Sequence, residues 1–215
     1  MSSAPSDRRP IAARNTRPAA LVAGWLIRAG ASPDGISVAG AVAACGAGTA
    51  FAGTAFAGPG WAWVLWLLGA ALVQVRLLCN LFDGMVAVGR GVASPRGELF
   101  NEVPDRVSDT AVLCGVGLAA GSPALGIGAS LAAMATAYVR ALGRGMGQPS
   151  DFSGPMAKQQ RMAVVTALGV ACAVLPASWI PPWTASWPEA ALWIVVVGAT
   201  LTAVRRLLRL SRALA

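Results

Sequence analysis

The chain has 215 residues, of which 56% are hydrophobic and only 12% are charged, and its mean hydropathy is +0.62. This composition argues against a soluble enzyme and favours a protein that crosses the membrane several times. The net charge is +8, and the chain contains no histidine, which leaves a zinc site without support. The cations are spread over separate short segments, a distribution that indicates contact with anionic lipid headgroups and no nucleic acid.

The N-terminal region is basic up to residue 18 and contains no apolar run long enough to span a membrane. We predict a mobile basic segment over 1–18, followed by a single membrane domain over 19–215. The stretch from Ala19 to Ala29 contains both a tryptophan and an arginine and is too short to cross a bilayer. It therefore predicts a short amphipathic helix at the cytoplasmic interface.

Six apolar stretches follow, each close to the roughly 20 residues that a helix needs to cross a hydrocarbon core of about 30 Å. They cover approximately 36–57, 61–82, 103–121, 123–143, 160–180 and 188–205. Basic residues precede the first stretch, follow the last and occupy alternate connections, which places both termini on the cytoplasmic side. The predicted fold is an all-α membrane protein with six transmembrane helices, preceded by the cytoplasmic amphipathic helix.

Five of the nine acidic residues lie in one stretch of 30 residues around the second and third predicted spans. They are Asp83, Glu98, Glu102, Asp105 and Asp109. A carboxylate at membrane depth is costly to bury, so its presence there indicates a functional site. The stretch is therefore the leading candidate for chemistry in this chain.

Helical spacing arranges the polar residues of this stretch into two stripes, because residues three or four apart share a helix face. The first stripe contains Asn80, Asp83, Gly84 and Ala87, and the second contains Gly97, Asn101, Asp105 and Asp109. A turn marked by Gly91, Pro95 and Gly97 lets the stripes face each other. Oxygen ligands of this kind suit hard cations such as Mg²⁺, Mn²⁺ or Ca²⁺, and Mg²⁺ in turn suits phosphate chemistry.

The two stripes resemble the signature of the CDP-alcohol phosphotransferase family, D-x2-D-G-x2-A-R-x8-G-x3-D-x3-D, without a gap. Five of its eight positions are identical, and they are Asp83, Gly84, Ala87, Gly97 and Asp105. Asn80 and Asn101 stand at two aspartate positions, and Val88 stands at the arginine position. Six spans and an interfacial helix before them are also similar to that family.

The resemblance implies a reaction and a set of roles. Members transfer a substituted phosphate from a CDP-alcohol such as CDP-diacylglycerol to an acceptor hydroxyl, and they release CMP. One or two Mg²⁺ or Mn²⁺ ions would be held by Asn80, Asp83, Asn101 and Asp105, and Asp105 would also be the general base. Gly84, Ala87 and Gly97 would accommodate the cytidine diphosphate. The resemblance further implies a homodimer among the lipids of a bacterial inner membrane, with a cytoplasmic active site.

The departures from the signature change the charge of the site. Two asparagines reduce the formal charge of the four-residue ligand set from −4 to −2, so two divalent ions would leave +2 for the substrate to offset. Glu102 or Asp109 could supply the missing charge, as could Glu98, and Arg90 could replace the cation absent at Val88. Three further cations are possible phosphate contacts or ordinary cytoplasmic residues, namely Arg140, Lys158 and Arg161.

Other interpretations of the acidic stretch remain open. In a purely structural one, Asp83 pairs with Arg76 or Arg90, and Asp105 or Asp109 pairs with Arg106. A second function is a catalytically weakened homologue that binds lipid or regulates a partner. A third is a small transporter or channel. The absence of matching polar residues in the other predicted spans argues against this function. The acceptor alcohol is not specified by the signature.

Overall fold

A computed structural model describes residues 14, 16–92, 95–175, 179–180 and 182–214. At residues 59, 95–96, 98 and 101, which lie inside helices, the backbone is described and the side chain is not. The described residues form seven α-helices and no strand. The helices are α1 (Arg17–Arg28), α2 (Pro33–Gly53), α3 (Pro59–Gly89), α4 (Pro95–Ala119), α5 (Pro123–Gly145), α6 (Lys158–Val174) and α7 (Trp187–Leu214). The predicted all-helical fold is confirmed.

Proline sets the start of several helices, because its fixed φ suits the first turn and its missing N–H is not needed there. Helix α1 begins at Arg17, ahead of the predicted Ala19, with Pro18 in its first turn. The predicted turn is wrong in part, since Pro95 opens α4 and Gly97 lies inside that helix. Gly91, with φ of +63°, does form the turn after α3. Most of the predicted mobile segment over 1–18 lies outside the described residues.

Four helices are long and apolar enough to cross a membrane, which makes this an integral membrane protein. They are Pro33–Gly53, Gly60–Gly89, Pro123–Gly145 and Trp187–Leu214. Helices α4 and α6 occupy the positions of the other two predicted spans. Helix α4 has 25 residues but carries charged side chains in its first half, and α6 has only 17 residues.

The helices pack through small residues and one aromatic contact. Helix α2 packs against α3 and α4, α5 packs against α7, and α3 packs against α6. A side chain on Gly48 of α2 would collide with the carbonyl oxygen of Ala111, and one on Gly115 would collide with that of Gly48. Close approach of these helix backbones therefore requires glycine. Phe51 and Trp66 lie in the core, with their ring centroids 5.5 Å apart.

The outward surface of the bundle is apolar over most of its area. Large apolar side chains that face outwards include Leu131 and Val197, which are 61% and 62% exposed. Trp61, Trp179 and Trp183 are also exposed and lie near helix ends. Such a surface fits lipid chains, with indoles at the headgroup boundary.

Candidate functional site

The polar residues of the two predicted stripes come together at one end of the helix bundle. Asp83 lies in the last turns of α3, and Asp105 lies in the first half of α4. The end of α5 and the starts of α2 and α6 reach the same end, because successive helices run in opposite directions. The structure therefore brings together carboxylates that are 22 positions apart in the sequence.

Asp83 is a buried carboxylate held by hydrogen bonds. Its side chain belongs to a residue that is only 2% exposed. The Ser37 hydroxyl of α2 donates to Oδ2 at 2.7 Å, and the backbone N–H of Gly84 donates to Oδ1 at 2.5 Å. Within the described residues Asp83 has no ion-pair partner, so the structural alternative with Arg76 or Arg90 does not apply to it. Its direct contacts among the described residues are therefore hydrogen-bond donors and not cations.

Asp105 is the centre of a dense set of contacts. Its Oδ1 accepts from Arg76 Nη2 at 3.0 Å and from Asn80 Nδ2 at 2.9 Å, and its Oδ2 accepts from Lys158 Nζ. Arg106 Nη2 lies 3.8 Å from Oδ2. Asn80 also contacts Lys158, because its Oδ1 accepts from the same ammonium group. Residues of α3, α4 and α6 are thus tied together around one carboxylate.

Asp109 lies deeper along the same face of α4 and is held by two arginines. Arg161 Nη2 donates to Oδ2 at 2.7 Å, and Arg76 Nη2 lies 3.5 Å from Oδ1. Arg76 and Arg161 are each only 1% exposed, and Arg161 also donates to the carbonyl of Met156 at 3.0 Å. Buried ion pairs of this kind hold helices in register and are costly to break on one side.

The predicted phosphate-binding cations have different surroundings. Lys158 and Arg161 lie in the buried cluster, whereas Arg140 donates to Glu102 at 2.5 Å near the surface. Glu102 also lies 3.7 Å from Arg106. Arg90 instead donates to the carbonyl of Ala31, just after α1, at 2.8 Å. Its guanidinium therefore interacts with the end of α1 in this structure.

The predicted cytidine-binding residues lie in the last turns of α3 and in the first turn of α4. Gly84, Ala87 and Gly97 are all partly exposed. A Cβ on Gly84 would lie 3.4 Å from the guanidinium of Arg14, so this N-terminal residue covers part of the same surface. Val88, at the arginine position of the signature, is 56% exposed. The side chains of Asn101 and Glu98 lie outside the described part of the structure.

A cavity of about 130 Å³ opens between α5, α7 and the connection that follows α5. Its lining is largely apolar, and the polar side chains in it are Arg140, Gln148, Asp151, Arg206 and Arg209. Burial raises the pKa of Asp151, but hydrogen bonds from Ser153 and Arg209 outweigh it and hold that pKa below its ordinary value. The sequence analysis missed Arg206 and Arg209, although their spacing of three on one helix indicates a shared face.

The fit of the described side chains to a divalent metal ion differs between Asp83 and the space that separates Asn80 from Asp105. No three Asp, Glu, His or Cys side chains in the described part of the chain converge as a ligand set. Asp83, which lacks a cation partner, fits one hard cation whose remaining ligands would be substrate oxygens. The space between Asn80 and Asp105 does not fit a second ion, because the ammonium of Lys158 lies there.

Comparison with known proteins finds relatives that include several phosphatidylinositol phosphate synthases, although no protein-family model matches the chain. The phosphatidylinositol phosphate synthase of Mycobacterium tuberculosis H37Rv is 30% identical over 218 residues, covering 96% of this chain and 90% of that protein. The synthase of the same name from Mycolicibacterium smegmatis is 29% identical over 201 residues, covering 89% and 81%. A bifunctional IPC transferase and DIPP synthase from Rubrobacter xylanophilus is 37% identical over 110 residues. The chain spans about a quarter of that bifunctional protein, or 24%.

Solved structures share the fold. The M. tuberculosis phosphatidylinositol phosphate synthase in complex with manganese and citrate superposes with a TM-score of 0.70 at 22% identity, covering 89% of this chain and 88% of that one. The same protein with CDP-DAG bound also gives a TM-score of 0.70 at 22% identity, covering 88% and 92%. The helical arrangement described above is therefore that of a known membrane fold.

Proposed function

Because the chain belongs to the CDP-alcohol phosphatidyltransferase family, we propose that it transfers the phosphatidyl group of CDP-diacylglycerol to an acceptor hydroxyl and releases CMP. Family membership rests on 30% identity over 90% of the M. tuberculosis phosphatidylinositol phosphate synthase. The chain is accordingly a metal-dependent membrane transferase of phospholipid synthesis. One observation carries the proposal for the site, namely that Asp83 and Asp105 are buried at the same end of the bundle with the signature spacing.

The proposed reaction uses few groups of the chain. The acceptor oxygen forms a bond to the β-phosphorus of the donor, the bond from that phosphorus to the CMP oxygen breaks, and the acceptor's proton passes to Asp105. Arg76 and Lys158 keep the Asp105 carboxylate ionised, which is the state that accepts a proton. A bound Mg²⁺ or Mn²⁺ would neutralise diphosphate charge and stabilise the departing CMP. Gly84, in the last turns of α3, leaves room for the nucleotide.

We assign the acceptor to the cavity between α5 and α7. A product named phosphatidylinositol phosphate carries a phosphate on its headgroup, so the corresponding acceptor is an anionic polyol phosphate. Arg140, Arg206 and Arg209 line the cavity, and cations of this kind bind phosphate oxygens. We propose an inositol phosphate or a similar polyol phosphate as the acceptor.

We propose that all six of the longer helices cross the membrane, with the active site and both termini on the cytoplasmic side. Helix α4, with 25 residues, is about 38 Å long at 1.5 Å per residue, and its buried Asp105 and Asp109 point into the bundle and not at lipid. Helix α1 would lie at the interface, at the start of a single membrane domain over 19–215. The family resemblance extends this arrangement to a homodimer in a bacterial inner membrane.

CMP release by the purified protein tests the proposal. The protein is supplied with CDP-diacylglycerol, Mg²⁺ or Mn²⁺, and a panel that includes inositol phosphate, glycerol phosphate, inositol and serine. We expect CMP release to require both metal and acceptor and to be fastest with a phosphorylated polyol. Release that is fastest with serine or with unphosphorylated inositol would refute the acceptor assignment.

Arg140→Gln is expected to raise the KM for the polyol phosphate about tenfold or more with a smaller effect on kcat, because a cation that holds the acceptor is lost. Steady-state kinetics with varied acceptor measure the effect. Arg205→Gln is the matched control, since Arg205 is an exposed arginine outside the cavity lining. Equal KM values for wild type and Arg140→Gln would remove Arg140 from the acceptor site.

One observation favours the alternative of a catalytically weakened homologue. Both oxygens of Asp105 are already engaged, by Arg76, Asn80 and Lys158, before any substrate is present. A homologue that binds lipid without turnover would retain such a network as structure. The two functions differ in turnover alone, so the absence of CMP release with every acceptor and metal would establish the alternative.

A further inference from the structure

The ammonium group of Lys158 contacts two of the four side chains of the predicted metal site. It donates to Asn80 Oδ1 on α3 and to Asp105 Oδ2 on α4. These are the first and fourth positions of the predicted four-residue ligand set, and they come from different helices. A cation of the protein therefore bridges two side chains that the sequence analysis assigned to a divalent ion. The side chain of Lys158 is only 15% exposed, so the bridge is shielded from water.

The asparagine at position 80 is suited to this bridge in a way that aspartate is not. Its Nδ2 donates to Asp105 Oδ1 at 2.9 Å while its Oδ1 accepts from Lys158. An ionised aspartate could accept from the ammonium but could not donate to Asp105, and the two carboxylates would repel each other. Asn80 and Lys158 thus form a complementary pair, and the loss of the aspartate has a structural explanation.

The charge of the surrounding cluster agrees with this interpretation. Its acidic members are Asp83, Asp105 and Asp109, and its basic members are Arg76, Arg106, Lys158 and Arg161. Three negative and four positive charges leave a formal charge of +1 before any metal or substrate binds. One divalent ion is balanced by the two negative charges of a nucleoside diphosphate diester. A second divalent ion would add a further +2 to a site that is already positive and poorly hydrated, which is costly.

From these contacts we infer that Lys158 replaces one divalent cation, so that this chain binds a single metal ion per protomer at Asp83. The inference rests on the proposed function, because it concerns the metal that the phosphotransfer uses. It explains why the signature aspartate at position 80 is replaced by asparagine. It also gives Lys158 a role as a fixed positive charge beside Asp105, in addition to its contacts with α3 and α4.

Metal stoichiometry tests the inference independently of turnover. Purified protein in detergent is titrated with Mn²⁺ in the presence of CDP, and free Mn²⁺ is counted by electron paramagnetic resonance. We expect one bound Mn²⁺ per wild-type chain. The double variant Lys158→Met with Asn80→Asp removes the fixed cation and restores a carboxylate, and it is expected to bind two. Arg205→Met removes an exposed cation elsewhere and is expected to bind one.

The outcomes separate the inference from the proposed function. Two Mn²⁺ ions on the wild-type chain would overturn the inference and leave the phosphotransfer proposal intact, as would a folded double variant that still binds one. No bound Mn²⁺ on a preparation that releases CMP would overturn it as well. If the double variant fails to fold, Lys158→Arg, which keeps the positive charge, supports the inference by binding one ion and overturns it by binding two. CMP release from the same preparation decides the proposed function separately.

Discussion

Asp83→Asn is expected to lower CMP release at least 100-fold while leaving the protein folded. The amide removes the negative charge that the site offers to a hard cation, and such electrostatic contributions to transfer are commonly worth about 3 kcal/mol or more. The fold should survive because the amide oxygen of the new side chain can still accept from the N–H of Gly84, while its NH2 can donate to the Ser37 hydroxyl, which can then donate to the carbonyl of Pro33. Initial rates of CMP release and the thermal midpoint in detergent provide the two measurements.

A matched control is available at the opposite end of the bundle. Glu189→Gln alters an acidic residue in the first turn of α7 that accepts from the N–H of Ala185 at 2.8 Å, far along the sequence from the signature. Its rate of CMP release is expected to equal that of wild type. A fully active Asp83→Asn protein would show that Asp83 has no part in the reaction.

Asp105→Asn is expected to abolish turnover and also to destabilise the protein, unlike Asp83→Asn. The substitution leaves Lys158 without its carboxylate partner and Arg76 with Asp109 alone, and removing one member of a buried ion pair costs about 3–5 kcal/mol. At about 2–4 °C per kcal/mol for a chain of this size, the thermal midpoint should fall by roughly 10 °C. Thermal unfolding and CMP release of the same preparation measure both effects.

A compensated variant separates stability from catalysis at this position. Adding Lys158→Gln to Asp105→Asn removes the ammonium group that lost its carboxylate partner, so part of the lost thermal stability should return. Turnover should not return, because the group that takes the acceptor's proton is still absent. Recovery of CMP release in the double variant would show that Asp105 acts only by pairing with Lys158.

Much of the fold could be predicted from the sequence because membrane helices have strong local signals. The lengths of the apolar stretches predicted where the helices lie. The distribution of basic residues predicts that both termini are cytoplasmic, and this orientation remains a prediction. Helix ends were less well predicted, as Pro95 and Gly97 illustrate. Both residue types also occur in turns, and the choice between a turn and a first helical turn depends on the preceding chain. The apolar signal is weaker in α4, because its first half is charged, and in α6, because that helix is short.

The convergence of the candidate site residues could be predicted from the sequence, whereas their contacts could not. Spacing alone placed Asp83 and Asp105 on facing helices, since i, i+3 and i, i+4 periodicity survives without tertiary information. The partners of Asp105 come from α3 and α6, and no local pattern specifies which cation of a distant helix will reach it. Arg76 carried a usable signal, because a lone cation inside an apolar span must find a buried partner. Ser37 carried none, since its role depends entirely on how α2 packs against α3.

Transfer of radiolabel from CDP-diacylglycerol labelled in its diacylglycerol moiety is the decisive measurement for this protein. With Mn²⁺ or Mg²⁺ and a polyol phosphate, wild-type protein should form a labelled lipid that carries the acceptor, together with an equal amount of CMP. Asp83→Asn should form neither product. No labelled product from folded wild-type protein, with either metal and with every acceptor offered, would contradict phosphatidyl transfer by this chain.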